Sequence, residues 1–116
     1  MSYVDGFVAA VPKSKKAEYT AFAEAMAKLI LSWGATRVVE NWSEDVQPGK
    51  VTDFYRAVAA QEDEDIVFSW VEYPDKATRE KVQKLMMSDE TMAGMSMPFD
   101  GKRLIYGGFG TIVSAS

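Results

Sequence analysis

IVFSWVEY, residues 66–73, is the segment from which the architecture of this chain follows most directly. Its β-branched and aromatic content predicts a strand, the third along the chain. Apolar side chains fall on both alternating faces of that strand: Ile66, Phe68 and Trp70 on one, and Val67, Val71 and Tyr73 on the other. An antiparallel sheet with one face in water alternates apolar and polar residues, so both faces of this strand are expected to be covered.

A helical pattern lies on each side of this strand. From Tyr19 to Trp33 the large apolar residues recur every three or four positions, which predicts a helix that begins after an N-cap at Ser14 and ends at Gly34. After the strand, Asp75 is predicted to cap a second helix. The apolar edge of this helix holds Val82, Leu85 and Met86, and its polar edge holds Lys76, Arg79, Glu80 and Lys84.

Three more strands are predicted. The first runs from Tyr3 to Val11 and ends at Pro12, because proline cannot donate to a ladder. The second runs from Ala35 to Trp42, and the last from Lys102 to Val113. The last strand contains Gly107, Gly108 and Gly110, which predict a bulge or a close approach of another group to the backbone.

A loop from Ser43 to Phe54 is predicted between the second and third strands. Within it, Pro48-Gly49 matches the two central positions of a type II turn. Arg56 to Ala60 is predicted to extend or resume the second strand, and the acidic run from Glu62 to Asp65 is predicted to be a solvated turn.

The resulting order, β-α-β-β-α-β, predicts an α+β fold: a ferredoxin-like sandwich that forms a single domain over residues 1–116. Its antiparallel sheet would carry both helices on one face. Because both faces of the strands are apolar, the second face needs a cover, and a second copy of the same sheet is the simplest one. We therefore expect a homodimer packed sheet to sheet; the alternative is a monomer whose second face is a ligand groove.

Composition narrows the chemistry. The chain has no cysteine and no histidine, which excludes disulfides, thiolate nucleophiles, Cys/His zinc sites and Ser-His-Asp triads. A net charge of −4 argues against nucleic acid as a partner, because phosphate binding needs a concentrated basic surface. No apolar run approaches a membrane span and no signal segment opens the chain, so we expect a cytoplasmic protein without a membrane partner. No metal and no cofactor is expected.

Five segments resemble a known family. They are Tyr3-Val4-Asp5-Gly6-Phe7, Pro48-Gly49-Lys50-Val51-Thr52-Asp53-Phe54, Val67-Phe68-Ser69-Trp70, Met97-Pro98-Phe99-Asp100-Gly101-Lys102-Arg103 and Ile105-Tyr106-Gly107-Gly108-Phe109. Together they resemble the bacterial DUF1428 family over essentially the whole chain. That family is similar to the dimeric α+β barrel superfamily, so the resemblance implies the same dimer, and it implies no established activity. Some members of the superfamily are cofactor-free monooxygenases that hold aromatic substrates between helices and sheet with Trp and Asn side chains.

Asp5 is the first candidate for chemistry, because acidic residues are depleted inside strands and a buried charge needs a partner. The topology suggests Lys102 and Arg103 as that partner, in a structural ion pair that fixes the strand register. The alternative is that Asp5 acts as an acid or base at a cavity mouth. In the loop, Asp53 either orients Arg56 to clamp a carboxylate or phosphate, or the two residues staple the loop.

Three functional hypotheses stay open. In the first, the dimer binds a small aromatic or anionic metabolite between sheet and helices. The candidate residues are Trp42 and Trp70 for apolar contact, Arg56 and Lys102 for negative charge, and Asp5 or Asp53 as base or orienter. Arg103 is a further candidate ligand-binding residue. In the second, the protein is a cofactor-independent monooxygenase or isomerase, with Asp5 or Glu40 as base and Tyr106 as proton donor. In the third, it is a structural or interaction module without a ligand.

Overall fold

The computed structural model describes residues 2–89 and 95–116. The described elements are β1 (Tyr3–Pro12), α1 (Lys16–Ser32), β2 (Arg37–Trp42), α2 (Phe54–Ala57), β3 (Glu64–Tyr73), α3 (Lys76–Ser88) and β4 (Ile105–Gly110). The predicted β-α-β-β-α-β order is confirmed, with the four-residue helix α2 as an addition. None of the described helices is long and apolar enough to cross a membrane.

The four strands form one antiparallel sheet in the order β2-β3-β1-β4. In this sheet Asp5 lies opposite Val71 of β3 and Gly108 of β4, and Glu40 of β2 lies opposite Ser69. Because side chains alternate along a strand, these residues all point to the face that α1 and α3 cover. This strand order with two long helices on one face is the predicted ferredoxin-like α+β fold.

The helix ends match the sequence in part. At the end of α1, Gly34 has a φ of +128°, and the N–H of Ala35 donates to the carbonyl of Ile30, which is the bond pattern of a Schellman cap. Asp75 caps α3 as predicted, accepting from the Thr78 N–H at 2.7 Å. The predicted cap at Ser14 is wrong, because Lys13–Lys15 forms a 3₁₀ turn and α1 begins only after it.

The segment between β2 and β3 differs most from its prediction. Gly49 does not have the positive φ that a type II turn requires, so that turn is absent. Its lack of a side chain matters for another reason: a Cβ there would lie 2.0 Å from the carbonyl oxygen of Thr52. Arg56 to Ala60 does not extend β2, because Asp53 caps the short helix α2 there. The acidic run is not a solvated turn throughout, since Glu64 is buried at the start of β3.

The glycines of β4 confirm a close approach rather than a bulge. The register with β1 continues without interruption from Ile105 to Gly110. A Cβ on Gly108 would lie 2.6 Å from the Tyr3 hydroxyl and 2.9 Å from Nη2 of Arg79. A side chain at this position would therefore displace the polar groups that lie over the strand.

The apolar core lies mainly between the sheet and the two long helices, around Tyr19 at one end and Tyr73 at the other. A smaller cluster lies on the opposite face, which we call the helix-free face. There Val58, from the segment after α2, packs against Ala10 and Ile66. The segment of residues 43–63, which we call the β2–β3 loop, thus covers one end of the helix-free face.

The rest of the helix-free face keeps apolar side chains in solvent. Phe68, Ile105 and Phe109 are 47%, 44% and 62% exposed. The predicted apolar character of both sheet faces is therefore confirmed, and neither α1 nor α3 covers the second one.

Candidate functional site

A cleft opens between the sheet and helices α1 and α3. One part of it, the Glu40 lobe, has a volume of about 320 Å³ and is lined by aromatic and sulfur-containing side chains such as Phe22, Met26, Met86 and Phe99. Among the described residues that line this lobe, Glu40 alone carries a charge at neutral pH. The lobe is therefore an apolar space with one carboxylate in its wall.

A second part, the Asp5 lobe, has a volume of about 410 Å³. Its polar lining consists of Asp5, Tyr73, Arg79, Gln83 and Tyr106. Both lobes are lined by Phe7, Ile30, Val71, Met86 and Leu104, so they are neighbouring parts of one cleft.

Glu40 has two hydroxyl partners. The Tyr19 hydroxyl donates to its Oε1 at 2.6 Å, and Ser69 faces it from the neighbouring strand. Glu40 as a whole residue is exposed, but the protein around its carboxylate desolvates it and raises its pKa above the usual glutamate value, although the hydrogen bonds from Tyr19 and Ser69 partly oppose that rise. Burial, and then the Glu40 charge, also raise the pKa of Tyr19, so this phenol stays protonated and remains a donor.

Neighbouring rings fix the position of Tyr19. Its ring centroid lies 6.3 Å from Phe22, 6.1 Å from Trp42 and 5.8 Å from Phe99. Beyond Tyr19, Glu40 also borders an outer groove between α1 and β2. The carboxylate thus lies between the apolar cleft and a groove that solvent reaches.

Asp5 belongs to a buried ion pair. It is 3% exposed, and its Oδ1 lies 2.9 Å from Nη2 of Arg79. Nε of Arg79 donates to both carboxylate oxygens, and the Tyr73 hydroxyl donates to Oδ2 at 3.0 Å. Burial and the neighbouring Asp5 charge raise the pKa of Tyr73, while the hydrogen bonds to Asp5 raise the pKa of Arg79.

The predicted pairing of Asp5 with Lys102 or Arg103 is wrong. Asp5 lies opposite Gly108, whereas Arg103 precedes β4 at the other end of the sheet. Arg103 instead forms two 2.7 Å hydrogen bonds with Glu64 and one at 3.0 Å with Asp100. Arg79, which the helical pattern placed on a polar edge, is turned inward to Asp5.

Asp53 and Arg56, the two candidate residues in the segment between β2 and β3, bind each other and the backbone of that segment. Asp53 accepts hydrogen bonds from the N–H groups of Gly49 and Arg56, which lower its pKa. The Arg56 guanidinium lies 3.7 Å from Asp53 and its side chain is half exposed. Neither residue lines the cleft lobes described above, and neither does Lys102, which is exposed.

The two candidate tryptophans lie on opposite faces of the sheet. Trp42 lies on the helix-covered face, donates to Asp65 at 2.9 Å and has the Lys16 ammonium 5.5 Å from its ring. Trp70 lies on the helix-free face and donates to Glu72 at 2.9 Å. They cannot contact one ligand within a protomer.

The structure places the three residues predicted to be catalytic on one face of the sheet but on three different strands, with β1 and β3 between Tyr106 of β4 and Glu40 of β2. Asp5, Glu40 and Tyr106 share the helix-covered face and line neighbouring lobes of one cleft, where Tyr106 stacks on Phe7 at 6.2 Å. The predicted ligand-binding set is dispersed between the loop, the two sheet faces and the start of β4. The sequence did not predict that Tyr19 would donate to Glu40 or that Arg79 would pair with Asp5. A helical pattern of apolar residues shows which face of the helix is buried, and not which side-chain atoms form hydrogen bonds.

Among residues 2–89 and 95–116, no three carboxylates are grouped so that they could hold a metal ion.

Comparisons with known proteins agree with this fold. Two solved structures, both described as dimeric ferredoxin-like proteins from an uncultured marine organism, are similar with TM-scores of 0.60 and 0.54. Their sequence identities are 11% and 12%, and each comparison covers 98% of this chain and 98% or 97% of the other. At these identities the likeness concerns the fold alone.

Sequence relatives are much closer. The uncharacterized protein YbaA of Escherichia coli strain K12 is 56% identical over 115 residues, which is 97% of this chain and 98% of that protein. A protein of the same name from Shigella flexneri matches with the same figures. The profile of the family described as "Protein of unknown function (DUF1428)" matches residues 2–101. The chain therefore belongs to the DUF1428 family, as its sequence motifs predicted.

Proposed function

We propose that this protein is a homodimer that binds a small, neutral aromatic molecule in the cleft between sheet and helices. The observation that carries the proposal is the Glu40 lobe, an apolar space of about 320 Å³ with one carboxylate in its wall. Ligand sites in proteins are typically apolar cavities of about 300–1,000 Å³ with a few polar groups that orient the ligand. Glu40 would accept a hydrogen bond from a hydroxyl or N–H group of the ligand.

The lining favours a neutral ligand over an anionic one. No lysine or arginine is among the described residues that line the Glu40 lobe. Arg79 lines the Asp5 lobe, but Asp5 already occupies its guanidinium. A ligand anion beside Glu40 would meet a like charge without a compensating cation, which is unfavourable in an apolar site.

The helix-free face supports the dimer. Its exposed aromatic and aliphatic side chains form the kind of surface that a second sheet would cover. The similar solved structures are themselves described as dimeric. The cytoplasmic location stays a prediction from the sequence.

The test is a binding titration with 2-naphthol, a neutral aromatic hydrogen-bond donor, monitored by isothermal calorimetry at pH 7. We expect saturable binding that Glu40→Gln weakens about tenfold, because a charged acceptor makes a stronger hydrogen bond than an amide. Glu24→Gln is the matched control, since Glu24 borders the outer groove but not the Glu40 lobe. Equal effects of the two substitutions, or no binding of any neutral aromatic probe, would leave the structural or interaction module as the better hypothesis.

A specific observation also supports an enzymatic function. The raised pKa of Glu40 is the property of a carboxylate that takes a proton from a bound substrate. In an isomerase, Glu40 would remove a proton from a carbon next to a carbonyl group and return it to another carbon, so that no co-reactant is needed. In a monooxygenase, deprotonation of a ring methylene would precede reaction with O₂, giving a carbonyl group and one water molecule.

Asp5 is less accessible to a substrate than Glu40 in this arrangement, because it is buried and Arg79 and Tyr73 already bind its carboxylate. Oxygen uptake with an anthrone-type substrate and no added metal tests the monooxygenase. We expect Glu40→Gln to abolish uptake and Glu24→Gln to preserve it. Uptake that survives in Glu40→Gln would exclude Glu40 as the base.

A further inference from the structure

We propose that Met97 is an oxidation site at the mouth of the Glu40 lobe, where peroxide converts its thioether to a sulfoxide and so weakens the binding of apolar ligands. This inference rests on the proposed ligand-binding function and adds a regulation to it. The composition fits this chemistry, because the chain has seven methionines and no cysteine, so thioethers are its oxidisable sulfur groups.

Methionine side chains are concentrated around this lobe. Among the described residues, four methionines line it, one from α1, one from α3 and two from the segment between α3 and β4: Met26, Met86, Met95 and Met97. Met26 and Met86 are partly buried and pack against the core around Tyr73. Gap filling by a flexible apolar side chain accounts for these two.

Met97 differs from the other three in its exposure. The residue is 52% exposed and also lines the lobe, whereas Met26, Met86 and Met95 are of intermediate burial. Met97 therefore lies where the lobe meets solvent. Because the oxidation of methionine follows its exposure, an oxidant in solution can reach this thioether before those deeper in the cleft.

The segment that carries Met97 is anchored to the wall of the lobe. A Cβ on Gly101 would lie 2.8 Å from Cε of Met97, so the methyl group of Met97 lies close to the backbone at Gly101. Pro98 is buried, and the Phe99 ring lies 5.8 Å from the ring of Tyr19, which binds Glu40. A change at the Met97 sulfur therefore takes place beside the ligand space.

The reaction needs hydrogen peroxide and no cofactor. The sulfur forms a bond with one peroxide oxygen as the O–O bond breaks, and the other oxygen leaves as water with both hydrogen atoms. The sulfur is oxidised and the peroxide is reduced. The product is a polar, chiral side chain in place of an apolar one.

The lobe cannot satisfy the sulfoxide oxygen. This oxygen is a hydrogen-bond acceptor, and leaving it unpaired in an apolar site is unfavourable. Among the described residues that line the lobe, the two with side-chain donors are Tyr19 and Ser69, and both already bind Glu40. The oxygen on Met97 would therefore keep a water molecule, which an apolar ligand would have to displace.

Oxidation followed by a binding titration tests the proposal. The protein is treated with hydrogen peroxide, the peroxide is removed with catalase, and sulfoxides are assigned by peptide mass spectrometry. We expect Met97 and the exposed Met87 to react before Met26 and Met86. At that stage the affinity for 2-naphthol, measured by calorimetry at pH 7, should fall about tenfold, because a polar group must lose its water. Methionine sulfoxide reductases for both epimers, with a thiol reductant, should restore it.

Two leucine variants, each compared with itself before and after oxidation, identify the side chain responsible. Met97→Leu has an apolar side chain without sulfur, so its affinity should not change on oxidation. Met87→Leu is the matched control, because Met87 is 90% exposed but does not line the Glu40 lobe. This variant should lose affinity on oxidation as the wild type does.

The outcomes separate the oxidation site from the proposed function. An affinity that is unchanged once Met97 is a sulfoxide, or an equal loss in Met97→Leu and wild type, would overturn the oxidation site and leave the ligand site intact. Oxidation of Met26 or Met86 before Met97 would also overturn it. A reduced wild-type protein that binds no neutral aromatic probe would overturn both.

Discussion

At the scale of single residues, two carboxylates on one sheet face have different partners. Asp5 is bound by a guanidinium and a phenol, so its charge is compensated. Glu40 is bound by hydroxyl groups alone beside an apolar lobe, and its pKa is raised. The ion pair holds the Asp5 carboxylate to partners within the protein, whereas desolvation raises the pKa of Glu40, which suits its carboxylate to accept a proton from a ligand.

Removing the Tyr19 hydroxyl should raise the pKa of Glu40 further. In Tyr19→Phe the carboxylate loses the donor that favours its charged form, while the ring contacts remain. The measurement is the pH titration of the Glu40 carboxyl carbon by NMR, assigned with Glu40→Gln. Tyr55→Phe is the control, because the Tyr55 hydroxyl donates to the carbonyl of Val46 in the loop. A Glu40 titration that is the same in Tyr19→Phe and wild type would show that the hydrogen bond does not hold in solution.

Breaking the buried ion pair should cost much more than breaking an exposed one. Arg79→Met leaves Asp5 buried without its cation, and we expect a loss of about 3–5 kcal/mol in the free energy of unfolding by urea. Asp5→Asn in the same background should recover part of that loss, since the uncompensated charge is removed. Arg37→Met breaks the exposed contact with Glu72 and should cost at most about 1 kcal/mol. Similar losses for Arg37→Met and Arg79→Met would contradict the structure.

The sequence indicated part of this residue-level arrangement. An acidic residue inside a strand marked Asp5 as buried and paired, which is correct. Its partner could not be predicted, because the pairing depends on how α3 is rotated about its own axis over the sheet. The division of a helix into an apolar and a polar edge does not fix that rotation closely enough to tell whether a residue at the boundary points inward. Arg79 lies on the boundary between the two edges and is long enough to turn inward.

At the scale of elements, Arg103 ties the end of the β2–β3 loop to the segment before β4. It binds Glu64 through two hydrogen bonds and the carbonyl of Ala59 through a third. The hydrogen bonds from Arg103 lower the pKa of Glu64 below its ordinary value of 4.5. A lowered pKa means that the unfolded chain binds more protons than the folded one between the two values, so the stabilisation is present above pH 4.5 and is lost as the pH falls through the lowered value.

Arg103→Met should therefore destabilise the protein by about 3 kcal/mol at pH 7 and by much less in acid. The measurement is urea unfolding of wild type and variant at pH 7 and near pH 3. Lys102→Met is the control, since the part of Lys102 that bonds to Asp100 is its backbone N–H. A difference between wild type and Arg103→Met that stays constant with pH would mean that the Glu64 charge is not involved.

The elements were predictable where periodicity or capping is strong. The four strands and the helices α1 and α3 were predicted from the spacing of their apolar residues. The predicted N-cap of α3, Asp75, is confirmed. Helix α2 could not be predicted from periodicity, because four residues are too few to show a period. The sequence does contain the N-cap of this helix, Asp53, but its spacing from Arg56 also fits a pair of interacting side chains. The prediction of a type II turn at Pro48-Gly49 is wrong. Gly49 does not have a positive φ, and its missing side chain instead allows a close contact with the backbone of Thr52.

At the scale of the whole molecule, the apolar helix-free face would link stability to assembly in the proposed homodimer. That this face is apolar followed from the alternation in IVFSWVEY; that a loop covers one end of it did not, since the loop has no period to interpret. If a partner covers the remaining area, the folded state is stabilised by association, and a hundredfold rise in protein concentration adds about 2.7 kcal/mol to the free energy of unfolding per dimer. We therefore expect the melting temperature of the wild type to rise with concentration.

Phe109→Lys should remove this concentration dependence. Phe109 is 62% exposed on the helix-free face, so the lysine costs little in a monomer but would place a charge inside a sheet-to-sheet interface. Met87→Lys is the control, because Met87 is exposed on α3 at the opposite side of the sheet and its substitution should leave the dependence intact. The measurement is calorimetric melting from about 1 to 100 µM, combined with sedimentation. A wild-type melting temperature that does not change with concentration, in a protein that sediments as a monomer, would mean that the apolar face serves something other than self-association.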